Sequence, residues 1–161
     1  MNQDTVIRKK RIYLYTFLIG YACLLMFFCT KSSPLYIIND WYDANAYFTM
    51  GKGMMNGAVP YRDLFDHKGP LLYLLYGIGY LIDSTGFLGI FLIQSIFMSL
   101  TMIFCYKIAK LYINNYFHAL IISMLVPIMT LSGNNLYVAD ANYGGGSPDE
   151  FIIALLTISL Y

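Results

Sequence analysis

Charge is what this chain has least of. Only 12% of its 161 residues are Asp, Glu, Lys or Arg, against about 25% in an ordinary soluble domain, while 58% are hydrophobic. A water-soluble fold of this length cannot hide that much apolar surface, which excludes the soluble globular class. The charges that exist nearly cancel, 10 basic against 9 acidic for a net +1. No basic stripe or RNA-type aromatic motif occurs, which removes nucleic acid as a partner. Cysteine is scarce as well. Cys23, Cys29 and Cys105 lie inside apolar runs at spacings that match no zinc or redox pattern, and they read as buried small hydrophobes. Internal repeats, low-complexity linkers and a Ser/Gly-rich boundary are missing too, so nothing splits off a soluble domain.

What is present is a series of apolar runs. Ile12 to Thr30 follows the cluster Arg8, Lys9, Lys10, Arg11 and is long enough to cross a bilayer as a helix, which takes about 20 residues. A secretory signal would have an apolar region of about 7–15 residues and a small-residue cleavage site; Phe28-Cys29-Thr30-Lys31 is a poor one. An uncleaved anchor with a cytoplasmic N-terminus is therefore expected. Further runs cover Pro70 to Ile82, Phe87 to Tyr106, Phe117 to Leu131 and Phe151 to Tyr161. Were all of them spans, Lys107 and Lys110 would fall outside the cell and Asp149 and Glu150 inside, against the positive-inside rule. Pro70 to Ile82 amounts to only about 20 Å of helix, against a hydrocarbon core of about 30 Å. Its Tyr73, Tyr76 and Tyr80 also suit the headgroup region, so it is expected to lie in the outer surface. Arg8, Lys9, Lys10, Arg11, Lys107 and Lys110 then gather inside with Asp4, the other eight acids lie outside, and the outer loops, about 31–86 and 132–150, share one side of the membrane.

The first of these loops concentrates the chemistry. Ala44 to Met55 has helical spacing, with Tyr47, Met50, Gly51 and Met54 on one face and Asp43 near the N-terminus, where the helix dipole favours a carboxylate. Asp43 reads equally as a plain N-cap, and Asp40 is a similar candidate with less local support. Beyond the turn formers Gly57 and Pro60, Arg62, Asp63, Asp66, His67 and Lys68 crowd into seven residues. Such a run is ordinarily a solvated loop, but against a membrane Lys68 or Arg62 suits a lipid phosphate. His67 lacks partners at metal-ligand spacing.

The stretch DANAYFTMGKGMMNGAVPYRDLFDHKGPLLYLLYGIG resembles the opening of the polytopic GT-C glycosyltransferases, especially bacterial relatives of protein O-mannosyltransferases and of the lipid A aminoarabinose transferase. The resemblance lies in an outward-facing acid, the turn Gly57 to Asp63, and the Lys68-Gly69-Pro70-Leu71 motif. It continues into YGGGSPDEFIIALLTISLY, which is similar to their glycine-rich, acid-ended second loop. The resemblance implies an all-α, polytopic membrane module with surface helices in the first outer loop. Its spans would run about 12–30, 87–106, 117–131 and an incomplete 151–161. It also implies transfer of a sugar from a polyprenyl-phosphate donor to a cell-envelope glycan, lipid or protein acceptor at the extracytoplasmic face. Asp43 would be the base, Lys68 would hold the donor phosphate, and Tyr47, Arg62, Asp66 and His67 would line the substrate. Asp149 and Glu150 would organise the site or hold a divalent cation. Relatives often carry a second acid where this chain has Ala44, which puts a first-loop carboxylate pair in doubt. Members of this superfamily run to several hundred residues, so the chain is expected to be an N-terminal portion, inactive in isolation. A non-catalytic membrane assembly protein and a lipid or solute transporter stay open as alternatives, although transporters place ionisable groups near the midplane of their spans and these spans have almost none.

Overall fold

The computed structural model describes residues 3–132 and 146–161, and among them the fold is all-helical. The helices are α1 (Gln3–Cys29), α2 (Tyr42–Met55), α3 (Pro70–Ile82), α4 (Leu88–Tyr112), α5 (Tyr116–Ser132) and α6 (Pro148–Leu160). Two of them, α1 with 27 residues and α4 with 25, are long and apolar enough to cross a membrane. Both reach beyond the apolar runs. The helix of α1 begins ahead of Arg8 to Arg11 and that of α4 continues through Lys107 and Lys110, because Lys and Arg propagate a helix nearly as well as Leu.

Helix α4 is the axis on which α1, α3, α5 and α6 pack, while α2 packs on α3. Two cores share it. One joins Leu14, Leu18, Ala22 and Met26, a stripe of every fourth residue along α1, to Met98, Met102 and Tyr106 of α4 and Ala119 of α5. There the buried Ser123 hydroxyl of α5 donates to the Met102 carbonyl at 3.1 Å. The other core gathers Tyr47 and Met50 of α2, Leu72, Tyr73 and Tyr76 of α3, Ile90 and Ile93 of α4 and Phe151 of α6. Outside its stripe α1 is apolar and uncovered, with Leu24 and Phe28 each 56% exposed. Cys23 and Cys29 lie on that exposed surface rather than buried, and Cys105 is half-buried; all three are free thiols.

Glycine sets how closely the elements approach. A Cβ on Gly51 of α2 would lie 2.4 Å from the Gly77 nitrogen of α3, and one on Gly89 of α4 would lie 2.1 Å from the Gly79 carbonyl oxygen. Backbone meets backbone at both crossings, which only glycine permits. The turn between α3 and α4 is wrapped around Asp83, whose carboxylate accepts from the amides of Thr85, Gly86 and Leu88 at 3.1, 3.0 and 3.3 Å. The Asn115 side chain does the same for α5, accepting from Phe117 N–H at 2.8 Å.

The bundle has two chemically distinct ends. Lys10 and Arg11 of α1 and Lys107 and Lys110 of α4 surround one cavity, so these two helices run antiparallel. Tyr106 meets Tyr116 at 6.1 Å and Phe104 meets Tyr161 at 5.6 Å, which brings the start of α5 and the end of α6 to the same end. Lys31, Asp40, the turn at Asp83, helix α2 and the start of α6 occupy the other.

Candidate active site

Asp43 stands in the first turn of α2, exposed. It is not the N-cap. That position belongs to Trp41, whose amide donates to the Asn39 side chain at 3.1 Å, so the Asp43 carboxylate remains free for other work. Its partner is one turn on: the Tyr47 hydroxyl donates to Asp43 Oδ2 at 3.4 Å, the reach expected of residues i and i+4 on one helix face. Burial, and after it the Asp43 and Asp66 carboxylates, push the Tyr47 phenol above its ordinary pKa, which keeps it a neutral donor.

The loop from Val59 to Lys68 is brought onto α2 by its own short-range bonds. Asp63 Oδ2 accepts from Val59 N–H at 2.8 Å, and Tyr61 N–H donates to Leu64 O at 2.7 Å. Tyr61 takes the left-handed φ of 67°, which is uncommon for a bulky residue and costs energy. Its consequence is local: the Tyr61 hydroxyl donates to the Lys68 carbonyl, while Lys68 N–H donates to the Tyr73 hydroxyl at 2.9 Å. The Lys68 backbone is thus gripped from both sides. Asp66 Oδ1 accepts from the His67 amide at 2.7 Å and lies 3.0 Å from His67 Nδ1.

Of the residues singled out from the sequence, Asp43, Tyr47, Asp66 and His67 line one open cleft of about 560 Å³ between α2 and the loop. Lys68 lies outside that lining and instead helps line an apolar groove of about 200 Å³ between α3 and α6, with Leu71, Leu75, Phe151 and Leu155. Arg62 joins neither. Its guanidinium forks the adjacent Asp63 carboxylate with two 2.8 Å bonds, and both side chains are exposed. Asp40 is tied to Lys31 in an ion pair that holds its carboxyl below the usual range.

The two acids of α6 part company. Asp149 is exposed, whereas Glu150 is buried and turned inward. Its Oε1 accepts from the amides of Gly146 at 3.0 Å and Ser147 at 3.4 Å, and its Oε2 accepts from Gln94 Nε2 of α4 at 3.0 Å. The buried Tyr76 hydroxyl of α3 donates to the Gly146 carbonyl at 3.0 Å. Burial and the Glu150 charge push its pKa well up. Gly146 has φ +92°, and a Cβ there would lie 2.3 Å from that hydroxyl, so glycine is required on both counts. Glu150 therefore organises the start of α6. Among the described residues no three His, Cys, Asp or Glu side chains converge to hold a metal ion. The stretch 133–145, with Asp140 and most of the glycine-rich second loop, lies outside the described residues.

Gln94 and Tyr76 did not stand out as site residues in the sequence. The signal was there for Gln94, an amide alone in the apolar run Phe87 to Tyr106, where a polar group calls for a buried partner. Tyr76 carried none, because two of the three α3 tyrosines that suggested a headgroup location, Tyr73 and Tyr76, are fully buried. No protein family, curated protein or solved structure matches the chain.

Proposed function

We propose that this chain forms part of a membrane glycosyltransferase of the GT-C type, moving a sugar from a polyprenyl-phosphate donor to a cell-envelope acceptor at the extracytoplasmic face. The observation that carries the reading is an adjacency. A cleft holding a carboxylate, Asp43, that accepts from the Tyr47 hydroxyl is separated by the single step from His67 to Lys68 from an apolar groove whose lining includes that lysine. Those are the requirements of the reaction: a base for a neutral hydroxyl on one side, and hydrocarbon with a phosphate-binding charge on the other.

In this reading Asp43 takes the proton from the acceptor hydroxyl and the freed oxygen bonds to the anomeric carbon. The bond from that carbon to the phosphate oxygen breaks, and polyprenyl phosphate leaves with both electrons, its added charge offset by Lys68. Tyr47 orients the base through its 3.4 Å bond. Asp66 and His67 face the acceptor, Arg62 serves the donor phosphate only by releasing Asp63, and a divalent cation is not required by these steps. The two chemically distinct ends of the bundle support a multi-pass placement with the basic end cytoplasmic, as the positive-inside rule favours, and the cleft outside. The uncovered apolar face of α1 then meets lipid, where it costs nothing.

The test is Asp43→Asn in the gene product as the cell makes it. Native membranes are assayed for polyprenyl phosphate released from polyprenyl-phosphate hexose and polyprenyl-phosphate aminopentose. Turnover should fall roughly 10²–10⁴-fold. Unchanged turnover of a sugar that the parent transfers would remove Asp43 from the chemistry, and the absence of any such turnover in the parent would remove the activity.

A further inference from the structure

The geometry points to a binding site for one anionic glycerophospholipid at the basic end of the bundle, opposite the cleft. Four cations drawn from helices far apart in sequence, Lys10 and Arg11 of α1 and Lys107 and Lys110 of α4, converge on a cavity of about 620 Å³. No Asp or Glu side chain is among its lining residues. The partners that hold the two α4 cations leave their charge unneutralised. Lys107 lies over the rings of Phe104 and Tyr161 at 4.2 and 4.7 Å, and Lys110 donates to the carbonyls of Ile113 at 3.1 Å and Asn114 at 2.6 Å. Rings and carbonyls position an ammonium without cancelling its charge. An anion is what the cavity lacks.

The shape of the neighbouring space narrows the anion to an amphiphile. A second hollow of about 750 Å³ shares Lys10, Leu14 and Tyr116 with the first, and its other walls are Tyr13, Phe17 and Leu120. A cationic chamber thus adjoins an apolar one across the residues that line both. A free phosphate would fill only the former, whereas a phosphodiester headgroup with its acyl chain fills both. Tyr15, Tyr106 and Tyr116 line the first cavity, the last of them shared with the second, and their hydroxyls suit the glycerol and ester oxygens. Basic residues that merely bias orientation in a membrane need a location near the end of a span. They do not need to converge from two helices on one cavity, nor to adjoin an apolar hollow. The site shares the membrane placement argued above but is independent of the glycosyl-transfer reading.

Native mass spectrometry of the full chain released from mixed micelles tests it, with phosphatidylglycerol, phosphatidylcholine, inorganic phosphate and a polyprenyl monophosphate as probes. The expected result is one retained phosphatidylglycerol per chain, favoured at least tenfold over phosphatidylcholine and not displaced by inorganic phosphate. Lys10→Gln with Arg11→Gln should weaken retention about thirtyfold, at roughly fivefold per cation. Arg8→Gln with Lys9→Gln removes the same charge from the same helix but touches neither cavity, and should change retention less than threefold. Circular dichroism of both double variants checks that the helices persist, and Lys107→Gln alone, about fivefold weaker, repeats the test from α4. Equal retention of phosphatidylcholine, or equal loss in the two double variants, overturns the site. Preferential retention of polyprenyl monophosphate overturns the assignment of its occupant.

Discussion

Replacing Gly89 by alanine should separate α3 from α4, and its cost can be worked from the crossing. The added methyl would sit 2.1 Å from the Gly79 oxygen, 2.7 Å from its carbonyl carbon and 2.8 Å from its Cα. Backbone atoms in a helix cannot rotate aside, so the two helices must part by about 1.3 Å to restore ordinary contact. Overpacking of this kind costs typically 1–3 kcal/mol, against a gain of about 0.5–1 kcal/mol from replacing glycine within a helix. A net loss of about 1–2 kcal/mol is expected. Gly20 of α1 is the matched control. Nothing lies within 4 Å of a Cβ built there, so Gly20→Ala should keep the gain and stabilise. Gly79→Ala falls between the two, because its nearest obstacle is the flexible end of Ile90 at 2.3 Å. Titration with dodecyl sulfate in mixed micelles gives the order, read by the fluorescence of Trp41, the single tryptophan, which packs beside Tyr47 in the same core. If Gly89→Ala is as stable as Gly20→Ala, the close α3–α4 crossing is not the native one.

Three further outcomes follow from the same geometry. A single cysteine at Ser84, in an otherwise cysteine-free chain, should react with an impermeant maleimide added outside intact cells, and one at Asn115 should not; the reverse pattern would invert the membrane placement. Asp83→Ala removes the acceptor for three amides at the start of α4 and should cost about 1 kcal/mol near neutral pH. Those bonds depress the Asp83 pKa. The contribution is therefore full above the unfolded value of about 3.9 and is lost as pH falls through the lower folded value, so the stability gap between parent and variant should narrow only below about pH 4. A gap that is constant from pH 7 to 2.5 contradicts this. Glu150→Ala strands the donors of Gly146, Ser147 and Gln94 and should cost about 2–4 kcal/mol. Glu150→Gln should cost less than about 1.5 kcal/mol, since the Gln94 amide can turn over and present its oxygen to the new carboxamide; equal losses in the two variants would show that these bonds do not hold the start of α6.

Helix existence was legible wherever one local rule sufficed. Pro70 at the first helical position and Asp83 past the last bound α3 at the residues where its apolar run begins and ends. In α2, the face named by spacing holds Tyr47, Met50 and Gly51, which are buried with Ala44 beside them, and Met54, which is half-buried. Hydropathy failed at the basic ends of α1 and α4 because it measures what dissolves in hydrocarbon, whereas the hydrogen-bonded helix continues through lysine and arginine. Four site residues converge as their neighbourhood in the sequence suggested, since Asp43 and Tyr47 share a helix face and Asp66 and His67 are adjacent. What could not be read was direction. Nothing in a linear run says that Arg62 turns to Asp63, that Lys68 belongs to the groove rather than the cleft, or that Glu150 faces inward while Asp149 faces out. Those choices depend on contacts between residues up to 70 positions apart, such as Tyr76 with Gly146.

The buried polar groups explain why the two loops behave as one support. The Tyr47 ring meets the Tyr76 ring at 5.5 Å, edge to face; the Tyr76 hydroxyl holds Gly146, and Gly146 holds Glu150, which Gln94 anchors to α4. Apart from the step from Gly146 to Glu150, which lies within the head of α6, each crosses from one element to another, from α2 through α3 to α6 and then to α4. Hydrocarbon packing alone would tolerate α3 sliding along α4, because apolar contacts are non-directional. Buried hydrogen bonds do not, since breaking one leaves a donor or acceptor that no water can satisfy. The position of Asp43 is thus referred to α4 through a row of residues of which only Tyr47 lines the cleft. A substitution such as Tyr76→Phe keeps the ring contact and discards only the bond to Gly146, so it loosens the head of α6 while leaving α2 seated. Gln94 and Glu150 are on that account supports of the site and not members of it.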